Sequence, residues 1–201
     1  MQFSVIFFVC ESITFLKHCI KVIVPMEPVT VSVNFSRKDL DDEHLAENIN
    51  AIIEKAGIDK DLIQVEVTET IDEREHSVLT EFIDKLFEFG ITTAIDDFGS
   101  GYSALSTLRE FRIHTLKIDR SFIDTDVFSW RDRIILQDIV HMAKELGMDV
   151  ITEGVERDDQ LDFVNQAGCY VIQGFYYDRP LALEEFEKRL VEGRYGGRRD
   201  A

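Results

Sequence analysis

The chain is poor in cysteine and in positive charge, and it has no apolar run long enough to cross a bilayer. Its three cysteines, Cys10, Cys19 and Cys169, are an odd number with no close pairing pattern. That argues against a disulfide scaffold and fits a reduced, cytosolic protein. Lysine and arginine total 22 against 39 aspartates and glutamates, a formal charge of −17. An acidic surface of that size argues against general affinity for nucleic-acid backbone or anionic membrane, both of which favour basic patches. A small phosphate diester remains an acceptable ligand, because bound cations can reverse the local field. Residues 3–10 are mostly apolar, but no positive segment precedes them, and Glu11, Lys17, His18 and Lys21 interrupt the stretch. A membrane span needs about 20 predominantly apolar residues. Val5, Val9, Ile13, Leu16 and Ile20 instead recur at helical spacing, which predicts an amphipathic helix.

What is present is enough for one sizeable core: 201 residues, 45% hydrophobic and 10% aromatic, with no low-complexity linker. The expected organisation is a single domain over residues 1–193 and a flexible basic tail over 194–201. Short β-branched runs alternate with helical periodicity. Strands are expected at 29–34, 62–67, 91–96, 114–118, 149–152 and 170–173. Helices are expected at 42–56, 77–89, 102–109, 131–146, 160–167 and 183–192. Repeated strand–helix units imply an α/β fold with a parallel sheet. Polar residues close the successive strands, which is where (β/α) barrels of the TIM type build active sites. About six strands can be counted, so the expected fold is an incomplete TIM-type barrel.

The most informative stretch is Ala94-Ile95-Asp96-Asp97-Phe98-Gly99-Ser100-Gly101-Tyr102-Ser103. Successive side chains on a strand point to opposite faces. Adjacent aspartates can share one cation only where the strand ends and the backbone turns, and the glycines mark that turn. Two carboxylates a few ångströms apart repel each other, and a cation between them resolves the repulsion. A bare Asp-Asp pair also reads as a helix cap followed by a surface turn. The rest of the chain weighs against that plainer reading. Asn34 follows Val31-Ser32-Val33, Glu66 and Glu69 lie in Val65-Glu66-Val67-Thr68-Glu69, and Lys117 lies in Leu116-Lys117-Ile118-Asp119-Arg120. Glu153 follows Ile151-Thr152, and Gln173 follows Val171-Ile172.

These six blocks, in order and in context over residues 29–183, resemble the EAL family of cyclic di-GMP phosphodiesterases. The resemblance implies a metal-dependent hydrolase that opens cyclic di-GMP to linear pGpG in bacterial second-messenger signalling. It implies two divalent cations, Mg²⁺ or Mn²⁺. Asn34, Glu66, Asp96 and Asp97 would be metal ligands, with Asp96 bridging. Lys117 would orient the nucleophilic water or a phosphate oxygen, and Glu153 would be the general base. Glu69 would anchor the loop at 100–103, Asp119 would anchor a loop or touch substrate, and Gln173 would line the pocket. The partners implied are cyclic di-GMP, a second copy in a homodimer, and an upstream sensory or cyclase domain. The sequence departs from the family in one respect: no Glu-Ala-Leu triplet precedes Asn34. The family's layout puts that glutamate among the metal ligands, on strands that would precede residue 1. Turnover by this chain is therefore expected to be weak or absent, and a non-catalytic cyclic di-GMP-binding or protein-interaction module is the alternative.

Single residues have plainer readings too. Asn34 could cap a turn, Glu69 could be solvated, Lys117 could pair with Asp97, and Asp119 and Arg120 could cap the next segment. Polar residues at strand ends are common in any α/β domain. His18, His44, His76, His114 and His141 share no ligand spacing, so none is assigned a metal.

Overall fold

The computed structural model describes residues 16, 30–36, 38–68, 73–100, 104–125, 127–182, 184–186 and 188. Contacts group these residues into two compact units divided between His114 and Thr115.

The unit up to His114 is built from three strand–helix repeats. They are β1 (Val31–Asn34), α1 (Leu45–Ala56), β2 (Ile63–Thr68), α2 (Glu73–Phe89), β3 (Thr92–Phe98) and α3 (Ala104–Glu110). The strands pair in parallel, β1 with β2 and β2 with β3. Val31, Val33, Ile63, Val65, Val67 and Ile95 are buried, as are Ile49 and Ile53 of α1 and Leu79, Ile83 and Leu86 of α2. Burying each such side chain contributes about 1.5–3 kcal/mol relative to leaving it in water. β2 is buried from Ile63 to Val67 without interruption, as expected of a parallel strand covered on both faces. Its second face is polar: Ser32 Oγ donates to Gln64 Oε1 at 3.0 Å, both residues being buried.

The unit from Thr115 onward repeats the plan with β4 (Thr115–Ile118), α4 (Trp130–Glu145), β5 (Asp149–Thr152), α5 (Asp158–Gln166) and β6 (Val171–Ile172). β5 pairs in parallel with β4 on one side and β6 on the other. Ser129 caps α4, accepting the Asp132 N–H at 3.2 Å, while Asp132 Oδ2 accepts the Ser129 N–H at 2.7 Å. This reciprocal pair satisfies two donors that a helix start leaves open. Leu136, Val140 and Ala143 of α4 and Phe163 and Val164 of α5 are buried, together with Leu116, Ile118 and Ile151.

All six expected strands occur among the described residues, and five of the expected helices do. Of the expected N-terminal helix, only Leu16 is described, and it is fully buried. The last helix falls mostly outside the described residues, as does the basic tail. Several boundaries differ, α2 starting at Glu73 rather than 77 and α5 at Asp158 rather than 160, and two further differences have plain physical reasons. α1 starts at Leu45 rather than 42, because Asp42 holds a separate turn by accepting the His44 N–H at 3.0 Å. β3 does not stop at the aspartates but runs on to Phe98, whose ring is buried and holds the chain in the sheet.

Candidate active site

In the first unit the parallel register aligns the polar strand ends. Asn34 is level with Glu66, Glu66 with Ala94, and Thr68 with Asp96. Residues level with one another in a parallel sheet share a face, and so do residues two apart on one strand. Asn34, Glu66 and Asp96 therefore lie on one face, with Ala94 leaving room between the two carboxylates. Glu66 is 1% exposed and Asp96 half-buried.

Asp97 breaks the alternation. Its φ is 54°, the one positive φ outside glycine among the described residues. Left-handed backbone is costly for most residues, but aspartate tolerates it better than most. A left-handed residue inside a strand reverses which face the next side chain meets. The consequence is visible: Asp96 and Asp97, which a regular strand would send apart, bring carboxylate oxygens within 4.8 Å of each other. The turn is closed by the Ser100 N–H donating to the Asp97 carbonyl at 3.1 Å. Glu69 and residues 101–103, expected to act together as a loop and its anchor, lie outside the described residues.

In the second unit Lys117 is level with Ile151, and Glu153 lies two residues beyond Ile151, on the same face. Lys117 Nζ meets Glu153 Oε1 at 2.7 Å, and the two side chains are only 3% and 15% exposed. A buried ammonium needs a partner, and a contact this short is a charge-assisted hydrogen bond. The Glu153 N–H donates to the Ile118 carbonyl at 3.0 Å, and the Gln173 N–H donates to the Thr152 carbonyl at 2.9 Å. Gln173 Oε1 is buried and accepts no hydrogen bond among the described residues. Asp119 caps the 3₁₀ turn Arg120–Phe122 through the Ser121 N–H at 3.0 Å.

Two glycines are required by close approach. A Cβ at Gly174 would collide with the backbone of Val155, and one at Gly154, where φ is +70°, would collide with Cβ of Arg120. The glycines let the segment after β5 lie flat between the turns that follow β4 and β6. The nearby Cys169 thiol is buried, which raises its pKa, although the Thr152 hydroxyl donating at 3.2 Å works the other way.

The donor chemistry fits hard divalent cations. Asn34, Glu66, Asp96 and Asp97 present only oxygen ligands from their carboxylates and one amide, the set that Mg²⁺, Mn²⁺ or Ca²⁺ prefers. Three carboxylates at one strand-end region also repel one another unless a cation or proton intervenes.

Sequence reasoning missed Gln160, which is 3% exposed and bonds backbone groups of two loops. The signal was available. Gln160 stands three residues after Arg157, the spacing at which a glutamine folds back on a helix start.

A family model described as the EAL domain matches residues 9–180. Cyclic di-GMP phosphodiesterase NbdA of Pseudomonas aeruginosa is 38% identical over 163 residues, covering 80% of this chain and 21% of that protein. The chain spans between about a fifth and two fifths of the length of the curated relatives it matches. Among solved structures, the EAL domain of Mycobacterium smegmatis DcpA superposes with a TM-score of 0.80 at 28% identity, covering 90% of this chain and 82% of that one. The manganese/cyclic di-GMP complex of Klebsiella pneumoniae BlrP1 superposes at 0.75 with 26% identity, covering 82% and 43%. The six parallel strands and their helices are thus an incomplete TIM-type α/β barrel, and with the family model matching most of its length, the chain belongs to the EAL family.

Proposed function

We propose that the chain binds cyclic di-GMP with divalent cations and hydrolyses one of its phosphodiester bonds, releasing linear pGpG. The observation that carries this reading is the left-handed backbone at Asp97, which brings two adjacent carboxylates together at a strand. Membership in a family with relatives named as cyclic di-GMP phosphodiesterases supports the substrate.

Asn34, Glu66, Asp96 and Asp97 would hold two Mg²⁺ or Mn²⁺ ions. Bound there, the ions supply charge neutralisation of the phosphate and a lowered pKa for water. The residues do the rest. Glu153 accepts the proton of the attacking water. Lys117, held against Glu153, orients that water or a non-bridging phosphate oxygen and keeps the carboxylate aimed. Gln173 offers its buried Oε1, which has no hydrogen-bond partner among the described residues, to a donor on the nucleotide. Glu69 and Asp119 steady the loops around the ligand, and the capping bond of Asp119 supports that part.

The 201 residues contain no Glu-Ala-Leu triplet, so the ligand set lacks one carboxylate and turnover by these residues alone is slow. The same absence favours a second reading, a module that binds cyclic di-GMP without cleaving it. A homodimer is part of the proposal, supported by Leu105, 67% exposed on α3. An upstream sensory or cyclase domain is another part, supported by the greater length of the relatives. A cytoplasmic location is proposed as well; no helix among the described residues is long and apolar enough to cross a membrane.

The test is to incubate the chain with cyclic di-GMP and Mn²⁺ or Mg²⁺ and to resolve the nucleotides by chromatography. Slow formation of pGpG that stops with a chelator and in Asp97→Ala is the expected result. Binding without cleavage would establish the second reading. Neither binding nor cleavage would end both.

A further inference from the structure

Gln160 does more than cap a helix. It is the third residue of α5, it is 3% exposed, and its three hydrogen bonds all reach backbone. Its Oε1 accepts from the N–H groups of Glu156 at 2.8 Å and Arg157 at 3.0 Å. Its Nε2 donates to the carbonyl of Ile123 at 3.0 Å in a buried bond. Glu156 and Arg157 end the segment that begins with Glu153. Ile123 follows the turn that begins just after Lys117 and Ile118 and is itself fully buried. One neutral side chain therefore ties the loop after β5 to the loop after β4.

The surrounding bonds show why this tie matters. The segment from Glu153 to Glu156 is fixed at one end by the Glu153 N–H on Ile118. In its middle, the Val155 N–H donates to Gln173 at 3.2 Å and the Tyr176 N–H donates to Val155 at 2.9 Å. Gln160 supplies the fixing at the far end and makes the buried side-chain bond to the Lys117 loop, beside an exposed one in which Arg157 Nη2 donates to the Thr125 carbonyl at 2.8 Å. In the 2.7 Å contact between Lys117 and Glu153, Lys117 lies on β4, the parent strand of one loop, and Glu153 is the first residue of the other loop. A shift of one loop against the other stretches that contact directly.

We infer that Gln160 is a positioning residue for the Lys117–Glu153 pair, an inference that rests on the phosphodiesterase reading for its catalytic consequence. The chemistry separates this role from ordinary capping. A glutamate at this position still accepts both N–H groups, and the helix N-terminus favours its charge. It cannot donate to the Ile123 carbonyl, and its second oxygen repels that carbonyl. Gln160→Glu thus keeps the cap and breaks the buried tie, leaving the exposed Arg157–Thr125 bond in place.

The experiment compares the full chain with Q160E and with Ser129→Ala, which removes the cap of α4 instead. Steady-state hydrolysis of cyclic di-GMP with Mn²⁺ is measured alongside two NMR readouts. These are the ammonium signal of Lys117 and the exchange rate of the Glu153 amide. For Q160E the expected result is a kcat lower by roughly tenfold to a hundredfold, the cost of about an ångström of misplacement. KM should stay within about twofold, with the Lys117 signal lost and Glu153 exchange accelerated; S129A leaves all four unchanged. Q160E with wild-type kcat, Lys117 signal and Glu153 exchange overturns the inference. If the parent chain cleaves nothing while Q160E still loses the Lys117 signal, the phosphodiesterase reading fails and the positioning role stands. If Q160E does not fold, Gln160→Asn, neutral but too short to span both loops, replaces it. Loss of the Lys117 signal in that variant supports the positioning role, and wild-type signals overturn it.

Discussion

Removing one partner of the Lys117–Glu153 pair tests how far the second unit depends on it. The ammonium is 3% exposed and the carboxylate 15%, at 2.7 Å, so solvent screens neither side appreciably. Glu153→Ala takes this counter-charge away from a buried cation, a change that costs about 3–5 kcal/mol. That is a large share of the roughly 5–15 kcal/mol by which domains are stable. It corresponds to a fall in Tm of roughly 6–20 °C at about 2–4 °C per kcal/mol for a chain of this size. Lys117→Met leaves a carboxylate nearer to solvent and costs less, about 1–3 kcal/mol. The double variant Lys117→Met/Glu153→Leu removes both desolvation penalties and returns close to the parent stability. Urea unfolding followed by circular dichroism, with chelator present, measures all four proteins. The double variant is therefore expected to be more stable than the two single losses together imply by about 4–8 kcal/mol. Additive losses, or a Glu153→Ala protein within about 1 kcal/mol of the parent, would refute the claim that these are buried, mutually dependent charges.

Asp97→Gly and Asp97→Ala should separate strain from function. Both abolish turnover, but the glycine variant is the more stable by about 1 kcal/mol, because alanine takes φ 54° at a cost that glycine avoids; equal urea midpoints would contradict this. Gly174→Ala drives a Cβ into the Val155 backbone and should destabilise by about 1–3 kcal/mol or more, read as a lower thermal midpoint. Cys169 is held above its ordinary pKa by burial, so iodoacetamide at mildly alkaline pH should label it only after unfolding. The sign follows from linkage. The protonated thiol is favoured in the folded state, so its contribution to stability is fully present below the unfolded-state pKa. It is lost as pH rises through the raised folded-state value. Rapid labelling of the native chain would show that the thiol is accessible after all.

Much of the fold was legible because the polar residues punctuate β-branched runs. Asp149–Thr152 is a strand from end to end as expected, since Val150 and Ile151 are bounded by polar residues on both sides. Helix faces followed from spacing alone: Leu79, Ile83 and Leu86 are buried in α2 as the periodicity implies. The course of β3 past Asp96 was not legible. Sequence reasoning ended the strand at the acid pair, because a regular strand cannot aim adjacent carboxylates together. The chain solves that problem with one left-handed residue and continues to Phe98. The pairing of Lys117 with Glu153 was also hidden. Glu153 lies 36 positions away in sequence, and only the parallel register of β4 and β5 brings the two to one face. Gln160 escaped notice because the helix was expected to begin there rather than two residues earlier.

The central claim is that the strand-end carboxylates of β2 and β3 form a divalent-cation site, and Mn²⁺ binding measures it most directly. Titrating the chain with Mn²⁺ while following the electron paramagnetic resonance signal of the free ion should show saturable binding. That binding should disappear in Asp96→Asn/Asp97→Asn and survive in Ser129→Ala. Mn²⁺ that stays free with the parent chain, or that binds the double variant equally well, would contradict the claim.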